Sequence, residues 1–178
     1  MTFDRGQILK QIDSVCGVIE QHADWAEQHC RLHDAAFQAL VEAQVPRLFL
    51  PAGLGGLEVD PTTCALVCEK LAGADTAAAW HVMVFNVARL MAAQWPLALV
   101  EQLWGDDPDT LVAASGHSPL HALAAADGYV ISGRQRFVSG CDHATWLLSP
   151  VMLDNAPAMV LLPLAECVIE QNWDLSLI

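Results

Sequence analysis

The segment "RQRFVSGCDHATW", residues 134 to 146, contains several side chains that could take part in chemistry. On an extended strand, Phe137 and Ser139 would point to one side and Val138 to the other. An aromatic ring beside a hydroxyl group can hold a flat heterocycle, because the ring stacks and the hydroxyl donates a hydrogen bond. A core phenylalanine next to an edge serine would give the same pattern, so the residue types alone leave both interpretations open.

Two pairs of side chains at helical spacing could bind a metal ion. His29 and His33 are four residues apart, but no third ligand lies near them in the sequence, and zinc requires three or four ligands. Cys64 and Cys68 have the same spacing without a matching second pair, and a buried cysteine acts as a small hydrophobic side chain. We therefore predict a solvated helix face for the histidines, core positions for the cysteines and no metal site.

A nucleophile beside a base is suggested by Ser118, which lies between His117 and His121 in the sequence. No strained elbow and no orienting carboxylate accompany this group, so an ordinary loop is predicted. Asp142 and His143 fall where a turn between two strands is expected, which favours a structural role such as turn capping. The spacing of these residues assigns no catalytic residue.

A run of helices is predicted for the first two thirds of the chain. Apolar residues recur every three or four positions over residues 4 to 32, which is typical of a helix that buries one face. Asp34 is predicted to cap a second helix, which Pro46 cannot continue. Asp60 followed by Pro61 predicts the start of a third, because proline loses nothing at the first helical position. The predicted helices from there on are 61–72, 74–94 and 96–104.

The pattern changes near residue 110, where short runs rich in valine, leucine and aromatic residues alternate with turn formers. Asp127-Gly128 predicts a tight hairpin, and a second turn is expected at 154–157. We therefore predict an α+β fold, with an N-terminal all-helical domain at 1–108 and a partial middle β-domain at 109–178. So few strands would leave sheet edges open, and the final stretch, 167–178, has no closing turn, which favours an incomplete β-domain.

Composition narrows the classes of partner and compartment. The formal charge of −13, from 21 acidic and 8 basic residues, opposes binding to nucleic acid and to anionic membranes. The chain is 54% apolar with a mean hydropathy of +0.34, which indicates a surface that meets a partner. Charged residues interrupt its longest apolar region, and the N-terminus lacks the pattern of a signal peptide. A cytoplasmic protein with six reduced cysteines is expected.

The order of these segments resembles the acyl-CoA dehydrogenase fold superfamily. The resemblance is carried by "LFLPAGLGGLEVDPTTCALVCEKLAGADTAAAW", by "WP" at 95–96 and by "ADGYVISGRQRFVSGCDHATWLL". Within the superfamily it is greatest to the flavin-dependent monooxygenase branch, the oxygenase components of two-component aromatic hydroxylases. It implies an N-terminal helical domain, a middle β-barrel and a C-terminal helical bundle, of which this sequence contains the first domain and the first strands of the barrel, with the bundle absent.

The same resemblance implies roles for three residues. Phe137 would stack on the isoalloxazine ring of FAD or FMN, Ser139 would donate a hydrogen bond near N5 and O4 of that ring, and Trp80 would line the substrate pocket. Reduced flavin would be supplied by a separate reductase. The catalytic base would come from the C-terminal part, so the catalytic residues stay unknown.

The sequence leaves three functions open. The first is a monooxygenase that uses reduced flavin and oxygen on an aromatic substrate, and the second is an acyl-CoA dehydrogenase that desaturates an acyl thioester. In both, the chain is expected to be an N-terminal portion that is inactive alone and works as a homo-oligomer or with a complementing C-terminal chain. The third is a non-catalytic module that binds a ligand or partner, and flavin binding distinguishes it from the other two.

Overall fold

The computed structural model describes residues 4–117 and 119–171, which form two compact units. The first unit runs to Thr110 and includes Gln171, and the second is Leu111–Glu170. The first unit is helical and the second is built on a sheet, which confirms the α+β fold. The domain bounds of 1–108 and 109–178 stay a prediction.

Five helices form the first unit, and most begin and end close to the predicted positions. α1 ends where Cys30 adopts a left-handed conformation, with a φ of 51°. α2 is capped by His33, whose ring nitrogen accepts a hydrogen bond from the backbone N–H of Ala35. Asp34 is the first helical residue, so its prediction as the cap is wrong by one position. The helices are α1 Arg5–His29, α2 Asp34–Glu42, α3 Pro61–Ala74, α4 Thr76–Ala92 and α5 Leu97–Trp104.

The core of this unit is formed by one face of each of the first four helices. The predicted stripe of α1 is confirmed, since Ile12, Val15 and Ile19 at three- and four-residue spacing are buried and Ile8, one turn earlier, is half-buried. Each fully buried leucine or isoleucine side chain stabilises the folded state by about 1.5–3 kcal/mol, because it is removed from water. The main apolar residues that pack together here are Ile12, Val15, Ile19, Leu40, Val67, Leu71 and Val82. Among the described residues, no helix is long and apolar enough to cross a membrane.

Asp60 begins α3 as the sequence predicts. Its carboxylate accepts hydrogen bonds from the backbone N–H of Thr63 at 3.1 Å and from the hydroxyl of the same residue at 2.7 Å. It also forms an ion pair with Arg5 at 2.9 Å. The bonds from Thr63, and then the bond from Arg5, hold the pKa of this carboxyl well below its usual range. Asp60 thus joins the start of α1 to the start of α3.

The lowered pKa of Asp60 predicts a loss of stability in acid. A carboxyl whose pKa is lower in the folded state stabilises the fold above its unfolded pKa of about 3.9, and the contribution is lost as the pH falls below that value. We expect Asp60→Asn to reduce the fall in the urea unfolding midpoint between pH 6 and pH 3, because asparagine still caps the helix but does not titrate. Asp24→Asn, on the exposed side of α1, is the control and should keep the wild-type fall. If the urea midpoint fell equally with pH in both variants, the lowered pKa of Asp60 would not be a source of the loss of stability in acid.

Two buried polar side chains of α4 bind backbone groups elsewhere in the first unit. The amide of Asn86 donates to the carbonyl of Val45 at 3.0 Å and accepts from the N–H of Phe49, also at 3.0 Å. The guanidinium of Arg89 donates to the carbonyls of Pro108 and Thr110, and burial lowers its pKa to about 10. These bonds join α4 to the loop after α2 and to the segment after α5.

The sheet of the second unit is organised around its fourth strand. β5 pairs antiparallel with the whole length of β4 on one side. On the other side, β1 and then β2 pair parallel with successive halves of β4, and β3 pairs antiparallel with β2. The strands are β1 Val112–Ala114, β2 Leu120–Ala125, β3 Gly128–Ser132, β4 Trp146–Leu153 and β5 Ala156–Pro163.

Both predicted hairpins of the sheet are present. β2 and β3 are joined by the two residues Ala126 and Asp127, and Gly128 follows as the strand residue that pairs with Ala125. Its φ of 147° is readily available only to glycine. β4 and β5 are joined by Asp154 and Asn155, both with positive φ, as the tightest hairpin turns require.

Candidate functional site

A pair of buried serines fixes the segment that follows β3, residues 133–138. Ser115, just after β1, has its hydroxyl oxygen 3.0 Å from the side-chain oxygen of Gln135 and 2.8 Å from the carbonyl oxygen of Arg136. The amide nitrogen of Gln135 donates to the hydroxyl of Ser149 at 2.6 Å. Ser149 lies fully buried in β4. The segment is therefore tied to the end of β1 and to β4 by two buried serines.

Phe137 has a backbone conformation that is rare for an aromatic residue. Its φ of 56° lies in the left-handed region, which costs a non-glycine residue about 1 kcal/mol and is enriched at functional sites. Its side chain is 61% exposed. The ring meets the ring of His117 nearly at right angles, with the centroids 5.7 Å apart. An exposed aromatic face is thus presented from a fixed backbone.

The extended strand on which the sequence pattern would place Phe137 and Ser139 is wrong. β3 ends at Ser132, and Gly133 follows with a φ of 136°. A side chain at Gly133 would come within 2.9 Å of Leu120. Because no strand runs through Phe137, the alternation that places it on one strand face with Ser139 does not apply.

Ser139 lies where the segment returns to the sheet. It forms an isolated antiparallel bridge with Ala114 at the end of β1. The side chain before it, Val138, packs against a small core cluster that includes Ala113 and Leu147. The backbone then turns at Gly140, whose φ is 81°. Half-buried Ser139 thus stands beside an anchored valine, two residues from the exposed Phe137.

The turn predicted around Asp142 and His143 is present. The carbonyl of Gly140 accepts hydrogen bonds from the N–H groups of His143 and Ala144, both at 3.1 Å. This bonding supports the structural role that the sequence assigns to the pair. Of the proposed nucleophile group at 117–121, Ser118 lies outside the described residues.

The arrangement in the second unit is suited to a flat aromatic ligand. Phe137 offers an exposed ring, and the hydrogen bonds of Gln135 hold the segment before it. Because that segment is already ordered, a stacking ligand loses little binding free energy to the ordering of the protein. Sequence reasoning missed the three residues of this network, Ser115, Gln135 and Ser149. A serine inside the apolar run of β4 was a usable signal, because a buried hydroxyl requires a hydrogen-bond partner.

Trp80 lies on α4 in the first unit and is 53% exposed. It lines a shallow, open groove of about 410 Å³ between α3 and α4, together with Cys68 and Met83. The groove is mostly apolar, as a site for an apolar or aromatic molecule would be. Its role as a substrate pocket stays a prediction.

The two histidines at helical spacing do not share a helix. α1 ends at His29, and the left-handed Cys30 turns the chain before His33, so the expected common helix face is wrong. His29 hydrogen-bonds the carbonyl of Trp25 at 2.8 Å, and His33 stacks on His22. Among the described residues, no three histidine, cysteine or acidic side chains are grouped to hold a metal ion.

Cys64 and Cys68 do share a face of α3. Cys64 is buried, and its hydrogen bond to Cys68, followed by burial, raises the pKa of its thiol. A protonated, buried thiol behaves as a small apolar side chain, as predicted for Cys64. Cys68 is half-buried and packs against the edge of the core, so its predicted core position is wrong. All six cysteines lie in the described part of the chain, and none of them forms a disulfide.

Comparison with known proteins agrees with these observations. Residues 13–99 match the family model for the acyl-CoA dehydrogenase N-terminal domain. The oxygenase subunit HsaA of a flavin-dependent monooxygenase from Mycobacterium tuberculosis is 30% identical over 176 residues, which cover 96% of this chain and 44% of that protein. The crystal structure of that organism's HsaA monooxygenase aligns with a TM-score of 0.87 at 28% identity, over 97% of this chain and 49% of that one.

A second solved structure shows the same fold. XiaF from Streptomyces sp., in complex with FADH2 and glycerol, aligns with a TM-score of 0.89 at 24% identity, over 96% of this chain and 44% of that one. Residues 13–99 are thus similar to the acyl-CoA dehydrogenase N-terminal domain, and the chain resembles the acyl-CoA dehydrogenase fold superfamily, as its sequence predicts. Its similarity within the superfamily is to flavin-dependent monooxygenase oxygenase subunits, and it spans about half the length of these relatives.

Proposed function

We propose that this chain is the N-terminal part of the oxygenase component of a two-component, flavin-dependent monooxygenase. The observation that carries the proposal is the 30% identity to a monooxygenase oxygenase subunit over 96% of the chain. The complete enzyme would take reduced FAD or FMN from a separate reductase and hydroxylate a small aromatic substrate with molecular oxygen. A cytoplasmic location suits the unpaired cysteines of the chain.

The residues of the second unit have defined tasks in this proposal. The flavin, when bound, supplies the reaction with oxygen, and the protein orients it and excludes water. Phe137 stacks against the isoalloxazine ring, and Ser139 donates a hydrogen bond near N5 and O4 of that ring. The groove beside Trp80 receives the substrate. The catalytic base is proposed to lie in the part of the relatives' length that this chain does not span, and it completes the site in a homo-oligomer or with a complementing chain.

A flavin titration tests the proposal directly. Reduced FMN and reduced FAD are added anaerobically to the purified protein, and binding is followed by flavin fluorescence and absorbance. Saturable binding of at least one reduced flavin is expected. Two controls, flavin titrated into buffer alone and into an unrelated acidic protein at the same concentration, show how much of the signal is independent of this protein. Absence of binding, both for the chain alone and for the chain mixed with a C-terminal half from a relative, would overturn the proposal.

An acyl-CoA dehydrogenase is the second candidate, because the family model that matches residues 13–99 bears that name. Such an enzyme binds oxidised FAD and reduces it with electrons from a saturated acyl thioester. Bleaching of FAD absorbance by a saturated acyl-CoA would favour it, whereas preference for reduced flavin favours the monooxygenase. A non-catalytic module is supported by the exposed apolar side chains Leu97 and Leu123. Such a module would bind neither oxidised FAD nor reduced flavin.

A further inference from the structure

Arg89 is a buried cation whose hydrogen-bonding capacity is only partly used within the helical unit. Its side chain is 2% exposed. Both terminal nitrogens of its guanidinium donate to backbone carbonyls, Nη1 to Phe85 at 3.4 Å and Nη2 to Pro108 and Thr110 at 3.0 and 3.1 Å. The third nitrogen, Nε, is buried and has no hydrogen-bond partner among the residues that the structure describes. A buried donor without a partner is costly, so it points to a ligand that accepts its hydrogen bond.

The charge of Arg89 has no carboxylate bonded to it in the described part of the chain. Two acidic side chains act on it electrostatically, Asp107 and Asp109. Asp109 is bound to the guanidinium of Arg47, and Asp107 accepts a hydrogen bond from the backbone N–H of Asp109. Burial lowers the pKa of Arg89 to about 10, so the group is still protonated at neutral pH. A positive charge is therefore held in the interior without a counter-ion of its own.

A small cavity of about 90 Å³ lies beside Arg89 in the first unit. Its inner wall is formed by the buried apolar side chains of Leu50, Val100 and Trp104. Among the described residues, Arg89 is the only charged one that lines it. The ring of Trp104 lies 5.6 Å from the guanidinium carbon, and its indole N–H is already bonded to the carbonyl of Thr110. The polar chemistry of the cavity is therefore that of the guanidinium.

The size and the charge of the cavity together restrict its ligand. Its rim is formed by Pro51, Leu90 and Ala93, which are exposed, so the cavity is accessible from solvent. It has several times the space that one water molecule needs, but far less than the volume of about 300 Å³ at which sites for larger organic ligands begin. A positive charge among apolar walls attracts a negative one more strongly than it would in water. A small anion meets both conditions, whereas a nucleotide is too large.

We propose that this cavity binds a small monovalent anion, a halide or a short carboxylate, which accepts a hydrogen bond from Nε of Arg89. The anion neutralises the buried charge. It also links α4 to the loop after α2 and to α5, because Leu50 and Val100 form the opposite walls of the cavity. The site lies within the helical unit and requires no flavin, so it is independent of the proposed function.

Thermal unfolding tests the site, because a ligand that binds only the folded protein raises the unfolding midpoint. Sodium chloride or sodium formate replaces sodium gluconate at constant total salt concentration, since the gluconate ion is too large for the cavity. The midpoint of the wild type should rise by roughly 4 °C when the anion is at about ten times its dissociation constant. Separate series with chloride and with formate show whether a halide or a carboxylate is preferred. The same midpoint in all three salts would overturn the proposal.

Two variants locate the effect. Arg89→Met removes the charge and Nε, so a folded variant should show no rise. Ala93→Leu keeps Arg89 and places a larger side chain at the rim of the cavity, so it should lose most of the rise even if Arg89→Met does not fold. Ala98→Leu is the matched control, because it makes the same change at an exposed position of α5 that does not line the cavity, and it should keep the full rise. An equal rise in Ala93→Leu and Ala98→Leu, or a rise that persists in a folded Arg89→Met, would overturn the assignment.

Discussion

Replacement of Phe137 with alanine is expected to weaken the binding of reduced flavin by about 2 kcal/mol, roughly thirtyfold. The ring is 61% exposed and offers a face on which the flat isoalloxazine can stack. Alanine removes that face and leaves the hydrogen bonds of Gln135, with Ser115 and with Ser149, in place. The measurement is an anaerobic fluorescence titration with reduced FMN. Phe137→Tyr should bind almost as well as the wild type, because it keeps the ring.

The second unit contains a matched control for this variant. Tyr129 lies on β3 and is 58% exposed, so it is an aromatic residue of similar accessibility in the same unit. Tyr129→Ala should leave flavin affinity unchanged if stacking is specific to Phe137. Flavin binding that survives Phe137→Ala, or that is lost equally in Tyr129→Ala, would show that Phe137 is not the platform.

Local signals in the sequence were sufficient for most of the helices and turns. Asp60 and Pro61 begin α3 as predicted, because capping and proline placement depend on residues within one turn of each other. The two hairpins follow from residues that tolerate positive φ, Gly128 at the start of β3 and Asp154 and Asn155 in the turn before β5. The one-residue error at α2 arose because His33 took the capping role that aspartate usually takes. Interactions confined to a few neighbouring residues are visible in a single sequence.

The candidate site was only partly predictable, because distant residues determine its geometry. The residue types single out Phe137 and Ser139, but their pattern predicts a strand where the structure has a fixed, irregular segment. That segment depends on Ser115 and Ser149, which are 20 and 14 residues from Gln135. Nothing in the local pattern of residues 133–138 reveals those partners, so the left-handed conformation of Phe137 was not foreseen. Tertiary hydrogen bonds here override the tendency of the sequence to form a strand.

The polar residues of α4, in the helical unit, also have distant partners that the local sequence does not reveal. The sequence marks Asn86 and Arg89 as exceptions in an otherwise apolar helix, but it does not identify what they bind. In the structure Asn86 is fully buried and bonds to backbone groups at Val45 and Phe49. Its side chain thereby fixes the loop that leads from α2 towards α3. A buried amide that satisfies distant backbone groups is expected to be costly to replace.

Asn86→Leu is therefore expected to destabilise the protein by about 2–4 kcal/mol. Leucine fills a similar volume but leaves the N–H of Phe49 and the carbonyl of Val45 without the partners they have in the wild type, and each unsatisfied buried group costs about 1–3 kcal/mol. The free energy of unfolding is measured by urea titration. Val87→Leu, at the next position but exposed, is the control and should change it by less than about 0.5 kcal/mol. Equal stability of Asn86→Leu and the wild type would mean that water or a shifted backbone replaces these bonds, and that Asn86 does not hold the loop.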